Sequence, residues 1–173
     1  MAAAIDIDVW QGDIAELEVD AIVVSASESL FMNSGAAASV LRHGGASIER
    51  AAVAQGPIEP GTAIVTDAGT LAAAFVIHTV AVGHDRTADA GRLAAAVRAA
   101  LAFAGPLQLR RIAVAPLGVE HGAFDTSEAA RILITTLSEA ATPPLESIVI
   151  ATAHAHETRA VAEAIAVRRA GIR

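Results

Sequence analysis

Gln11-Gly12-Asp13-Ile14-Ala15-Glu16-Leu17-Glu18-Val19-Asp20-Ala21-Ile22-Val23-Val24 is the stretch that decides how this chain is read. A polar turn carrying a glycine stands between two apolar β-type runs, Ile5 to Trp10 and Ala21 to Val24. The turn sets one carboxylate, Asp13, at the end of the first strand. The interior of an α/β sheet is packed, and only its carboxyl edge opens into a crevice that can hold a ligand. From the residues alone Asp13 has two readings. It is a ligand acceptor at a strand end, or a turn residue capping the short segment Ile14 to Leu17.

Outward from that stretch, strand-like and helix-like segments alternate. Gly35 to Arg42 and Ala46 to Ala54 carry helical spacing, broken at Gly44-Gly45. Thr62 to Thr66 and Phe75 to Val80 read as strands around Asp67-Ala68-Gly69. Ala88 to Ala104 is the longest helical window, ended by Gly105-Pro106. Ile112 to Ala115 is a short buried strand. A helix follows from about Ser127 to Ala141 and stops at Pro143-Pro144, because the residue before a proline is pushed out of the helical region. Ser147 to Ala151 is the last strand and Glu157 to Arg169 the last helix. This alternation predicts an α/β sandwich with a largely parallel central sheet, over 1–173 as a single domain.

Composition narrows the chemistry. The chain is 54% hydrophobic and 18% charged, enough to bury a core, with only 3% aromatics. Its interior is therefore expected to be built from alanine and β-branched side chains. No apolar run approaches the ~20 residues that span a bilayer, and the start lacks a positive region followed by a sustained apolar one. The expected location is cytoplasmic, with no membrane partner. Cysteine is absent, which excludes disulfides, thiolate metal sites and cysteine nucleophiles. Lysine is absent too, which excludes Schiff-base and P-loop lysine chemistry. A net charge of -7 argues against bulk nucleic-acid binding, which needs clustered basic residues. A local anion pocket built from backbone N–H groups stays open. His154, His156 and Glu157 lack a defined zinc spacing, so no metal and no cofactor are expected. His78, inside an apolar strand, reads as a hydrogen-bonded core histidine.

The opening stretch is similar to that of macrodomains, the ADP-ribose-binding modules, whose usual text is close to GDIT-x-L-x-VDAIVNAAN. Ser27 to Val40 resembles the N-x-x-L-x-x-GGGVAxAI segment. Leu41-Arg-His-Gly-Gly, Gly61-Thr-Ala-Ile-Val-Thr and Phe75-Val-Ile-His-Thr-Val follow as further landmarks. Ile112 to Asp125 is similar to VAFPALGTGVGGFP. These segments stand in order at matching spacing over nearly the whole chain. The resemblance implies a three-layer α/β/α sandwich with a mixed, mostly parallel central sheet, and ADP-ribose or a related adenine nucleotide as ligand.

By that resemblance Asp13, with Ile14 beside it, accepts a hydrogen bond from the adenine amine; a carboxylate is acceptor-only and an exocyclic amine is a donor. Asn33-Ser34-Gly35, with Ala36, stands where the family has glycines that let the backbone approach the diphosphate and distal ribose. The alternative is an Asn-Ser pair capping an ordinary helix. The second loop, Leu117-Gly118-Val119-Glu120-His121-Gly122-Ala123-Phe124, matches the family's diphosphate loop but carries a glutamate in place of a glycine. A carboxylate beside two phosphates is repulsive. Glu120 is expected either to point to solvent at a loop tip or to be compensated by His121. His154 is a candidate to stack on adenine.

The resemblance also bears on catalysis. Hydrolases of the MacroD type have an asparagine and an aspartate where this chain has Ser27 and Ala37. Neither replacement can position or deprotonate a water. Catalytic residues are accordingly unassigned, with Glu120, His121 and Asp125 as candidate bases. Three functions stand open. The first is a reader of ADP-ribose with altered diphosphate and distal-ribose loops, for which an ADP-ribosylated protein or another protein would be the partner. The second is a hydrolase of ADP-ribose 1″-phosphate, O-acetyl-ADP-ribose or ADP-ribosyl esters, the Appr-1″-p processing activity. The third is a scaffold that has lost nucleotide binding.

Overall fold

The computed structural model describes residues 5–171. Residues 1–4 and 172–173, the two ends of the expected 1–173 domain and the first residues of the start that was read for a leader, lie outside the described residues. Among the described residues six strands form one sheet: β1 (Asp6–Gln11), β2 (Ala21–Ser25), β3 (Ala63–Asp67), β4 (Phe75–Thr79), β5 (Arg111–Val114) and β6 (Ser147–Thr152). Their order is β1-β6-β5-β2-β4-β3. Every pairing is parallel except β3 with β4. The described residues also form five α-helices: α1 (Gly35–Gly44), α2 (Ala46–Val53), α3 (Ala90–Leu101), α4 (Thr126–Ala140) and α5 (Ala155–Gly171). This is the mixed, mostly parallel sheet between helical layers that the sequence predicts.

The strands alternate their side chains between two cores. Ala21 and Val23 of β2, Ile77 of β4, Ile112 and Val114 of β5 and Ile148 and Ile150 of β6 pack with α3, α4 and α5. Ile22, Val24, Val76 and Ala113 face the other way, against Ala37 and Val40 of α1 and Ile48 of α2. β2 lies between β5 and β4 with helices on both faces, so its first four residues are all buried. That is why it reads as a continuous apolar run rather than an alternating one. β1 is an edge strand and does alternate: Ile7 is buried while Asp6 and Asp8 are exposed. Arg169 of α5 lies 3.7 and 3.8 Å from those two carboxylates, and charge on an edge discourages pairing with another chain.

Caps set the helix bounds, and those of α1, α3 and α5 differ from the sequence reading: α1 runs on through Gly44, which was read as part of the break. The window Ala88 to Ala104 contracts to Ala90–Leu101, because the Asp89 side chain accepts from the Arg92 amide and fixes the start. The final helix begins at Ala155 rather than Glu157. It is the longest of the described helices, at 17 residues, since the Glu157 carboxylate accepts from the amides of Ala153 and His154 and holds the first turn. Asp125 caps α4 by accepting from Ser127 and Glu128. Gly45, at φ 101, makes the break between α1 and α2 in a conformation where a side chain would be strained. Among the described residues no helix is long and apolar enough to cross a membrane.

His78 on β4 is fully buried. Its Nε2 shares a 3.0 Å hydrogen bond with Thr66 Oγ1, but its Nδ1 is buried without a partner. The reading as a hydrogen-bonded core histidine therefore holds for one ring nitrogen. Burial pushes its pKa down to about 4, so the ring is neutral at pH 7.

Candidate functional site

β2 marks the point where the strand order reverses: the chain moves from β2 toward β4 on one side and from β5 toward β6 on the other. Loops leaving the carboxyl ends of such strands part from one another and leave a crevice. Here the segments after β1, β2, β4, β5 and β6 surround a cavity of ≈ 1020 Å³. Asp13, Ile14, Ser27, Asn33, Ser34, Gly35 and Ala36 line it, as do Val119, Glu120 and His121. Leu117, Gly118, Gly122, Ala123 and Phe124 are not part of the lining. Leu117 belongs to the core under the loop. The Phe124 ring packs against that core and lies beside Gly118, 3.3 Å from where a Cβ would stand.

The Asp13 carboxylate is held from two directions. It caps the 3-10 turn Ile14–Glu16 by accepting from the Ala15 amide at 3.0 Å. The buried Ser39 hydroxyl of α1 lies 2.6 and 2.5 Å from its two oxygens. Burial raises the carboxyl's pKa, but the Ser39 and Ala15 hydrogen bonds, aided by His43 and Arg42, more than offset that and hold it below the ordinary value. Asp13 is thus an ionised acceptor in a fixed orientation, with lone pairs left for a donor in the cavity. The cap reading and the cavity-facing reading hold together in one side chain.

α1 presents its N-terminus to the same cavity. Ser34 stands at the N-cap with no side-chain hydrogen bond to the first turn, and Gly35 is left-handed at φ 56 with open space around it. The Asn-Ser capping pair is therefore not formed. The Ser34 carbonyl accepts from the Ala38 amide, while Gly35, Ala36 and Ala37 line the cavity. An uncapped helix start offers N–H donors and the positive end of the helix dipole to an anion.

The loop after β5 departs from the expectation of a solvated tip. It closes in a 3-10 turn, Glu120–Gly122, with Gly118 at φ 87, His121 at φ 55 and Gly122 at φ 69. His121 is exposed, but Glu120 folds inward. Both of its carboxylate oxygens are buried without a hydrogen-bond partner. Burial raises its pKa, opposed in part by the nearby Ser25 hydroxyl and the backbone amides of Glu120 and Gly118, none of them at hydrogen-bonding geometry, and by His121. Turning the side chain inward leaves His121 to occupy a left-handed conformation that glycine would take more readily.

Several lining residues were given no ligand role in the sequence reading. Ser25, Phe31, Arg42, Val82 to His84, Arg86 and Glu157 all face the cavity. The segment after β4 is tied to the loop after β2: Glu28 accepts from the His84 amide and lies 3.9 Å from its ring. An exposed polar loop leaving the carboxyl end of a parallel strand is the signal that marks it. His154 lines the cavity and stacks on His156, with ring centroids 5.7 Å apart and planes 11° apart.

Comparison with known proteins gives this site a context. The family model for the Macro domain matches residues 23–133. An uncharacterised protein of Mycobacterium tuberculosis is 31% identical over 147 residues, covering 85% of this chain and 41% of its own length. The chain thus spans about two fifths of that relative. An O-acetyl-ADP-ribose deacetylase of Klebsiella pneumoniae is 35% identical over 154 residues, covering 84% of this chain and 87% of that protein. Among solved structures, the Trypanosoma brucei macrodomain in complex with ADP-ribose superposes with a TM-score of 0.83 at 22% identity, over 95% of this chain and 72% of that one.

Proposed function

The chain belongs to the Macro domain family, and from that premise we propose that it binds ADP-ribose or a related adenine nucleotide as a reader. One observation carries the reading: an oriented, ionised Asp13 and the uncapped N-terminus of α1 line a single cavity. The carboxylate suits an adenine amine, and the helix start suits a phosphate or a ribose hydroxyl. His154 offers an imidazole face for the base, and Phe31, half exposed, offers apolar surface at the loop before α1.

Reading rather than hydrolysis is favoured because Ser27 and Ala37 both line the cavity where a hydrolase would need an asparagine and an aspartate. An alanine cannot orient or deprotonate a water. The natural partner is then an ADP-ribosylated protein. The 35% identity to an O-acetyl-ADP-ribose deacetylase favours a second reading, ester hydrolysis with Glu120 or His121 as base. Titration calorimetry with ADP-ribose tests the first. Absence of heat at millimolar ligand would refute both nucleotide readings and leave a scaffold. Turnover of an ADP-ribosyl ester that is lost on changing Glu120 or His121 would replace reader with hydrolase.

A further inference from the structure

A serine or threonine inside a helix often returns its hydroxyl to the carbonyl four residues back. Thr136 and Ser138 of α4 do so, at 2.8 and 2.7 Å from the carbonyls of Ile132 and Ile134. Ser39, in the middle of α1, does not. Its Oγ reaches out of the helix to Asp13, 2.6 Å from Oδ1 and 2.5 Å from Oδ2. The neighbours fix which way the proton points. His43 Nδ1 lies 2.9 Å from the Ser39 carbonyl, which can only accept, so that nitrogen already carries a hydrogen. The Ser39 proton goes to the carboxylate, where it bridges the two oxygens. In the segment similar to N-x-x-L-x-x-GGGVAxAI, Ser39 stands in the place of the second alanine. The contact belongs to this chain and not to the shared pattern.

We propose that Ser39 is a positioning residue for base recognition: by pinning the Asp13 carboxylate it makes the cavity select an amino-bearing purine over its oxo counterpart. The proposal rests on the nucleotide reading above and adds what the base end of the cavity rejects. Adenine presents an exocyclic amine, a donor, beside a ring nitrogen that accepts. Hypoxanthine reverses both: an oxo group accepts where the amine donated, and the ring nitrogen beside it carries the hydrogen. A carboxylate free to turn about its side-chain bonds can follow the donor from one atom to the next and take either base. A carboxylate held by the Ala15 amide and the Ser39 hydroxyl cannot follow. It meets the oxo group of hypoxanthine acceptor to acceptor.

Asp13 is only partly buried and lines the cavity, so its remaining lone pairs are open to a ligand. Oδ1 accepts from Ala15 as well as Ser39, but among the described residues Oδ2 has Ser39 alone. Removing the hydroxyl thus frees one oxygen outright. Arg42 and His43 also act on this carboxylate, but through charge, which depends on distance and fixes no orientation. Both stay in place in Ser39→Ala. Alanine is also the best helix former, so the substitution removes the hydrogen bond and leaves α1 intact.

The experiment is calorimetry of the intact chain with ADP and with inosine diphosphate, which share their ribose and phosphates and differ only in the base. Wild type is expected to bind ADP about tenfold or more tightly, the effect of one hydrogen bond to a charged acceptor. In Ser39→Ala that preference should narrow by about threefold to tenfold, the effect of having to order one freed side chain on binding. Inosine diphosphate should bind this variant as well as wild type or better. Ser39→Thr, which keeps a hydroxyl, should keep the preference. A merely structural role for Ser39 would weaken both ligands alike. An unchanged ratio of the two affinities in Ser39→Ala therefore overturns the proposal, as does a ratio lost equally in Ser39→Thr. Wild type that binds both ligands equally overturns it without any variant and leaves nucleotide binding standing. No binding of either ligand by wild type overturns the nucleotide reading together with the proposal.

Discussion

Acidification will destabilise this protein through His78. The ring is fully buried and neutral, and its pKa falls from 6.5 to about 4. In the unfolded chain the ring recovers the ordinary value. As pH drops below 6.5 the unfolded state takes up a proton that the folded state refuses, and stability falls until the folded ring also protonates near 4. The full cost of that interval is ~3 kcal/mol, of which roughly 2 kcal/mol is incurred between pH 7 and pH 4.5. Urea denaturation at those two pH values, for wild type and for His78→Leu, measures it. The substitution leaves the Thr66 hydroxyl unpaired, a cost on the order of 1 kcal/mol that is the same at both pH values. Carboxylate titrations affect both proteins alike. The gap between them should therefore narrow, or change sign, by roughly 2 kcal/mol on going to pH 4.5, a midpoint change of about 1 M at a typical urea slope. Parallel loss of stability in the two proteins would show that His78 is not held neutral by burial.

Asp13→Ala should weaken ADP-ribose binding about tenfold or more, since a hydrogen bond to a charged acceptor contributes ~1.5–3 kcal/mol; unchanged affinity by calorimetry removes Asp13 from the base site. Glu120→Gln should be more stable than wild type at pH 8. The wild-type carboxyl has a raised folded pKa, so its stabilising contribution is present below 4.5 and lost as pH rises. The advantage of the variant should shrink toward pH 4.5, and thermal melts that differ equally at both pH values would contradict the burial of that side chain. Gly12→Ala should displace the Trp10 ring, whose Cη2 atom lies where the new methyl group would stand. As Trp10 is the chain's only tryptophan, red-shifted emission reports the displacement, and an unchanged spectrum counts against the packing described.

The sheet was legible because each strand's environment is written in its own residues. Ile22, Val23 and Val24 are apolar on both faces because helices cover both, and the β1 alternation of Ile7 with Asp6 and Asp8 follows from an exposed edge. Helix bounds were less so. Ala88 fits a helical pattern, but one side-chain hydrogen bond at Asp89 decides where α3 begins. In the site, Asp13 stands out in the sequence while its partner Ser39 does not, since their contact joins a turn after β1 to the middle of α1. Glu120 turns inward to lie near Ser25, far away in sequence, and its loop takes a left-handed twist at His121. No local pattern encodes it. Leu117 and Phe124 were grouped with the ligand loop, yet the core claims both, because large apolar side chains flanking a short turn have somewhere better to go.

The placement of β6 between β1 and β5 governs when the sheet can close during synthesis. Of the six described strands β1 leaves the ribosome first, but its partner in register, from Asp6 with Ser147 to Gln11 with Thr152, is made last. Until then β1 has no neighbour in the sheet, and β5 exposes the flank that β6 will fill. The β2, β4 and β3 portion can assemble early, while β1 waits unpaired until β6 is made and the flank of β5 stays open over the synthesis of residues 115–146. Long-range parallel pairing of this kind is slow and leaves unpaired flanks open to other chains. The interval before residues 147–152 emerge is therefore when this protein depends most on being shielded from its neighbours.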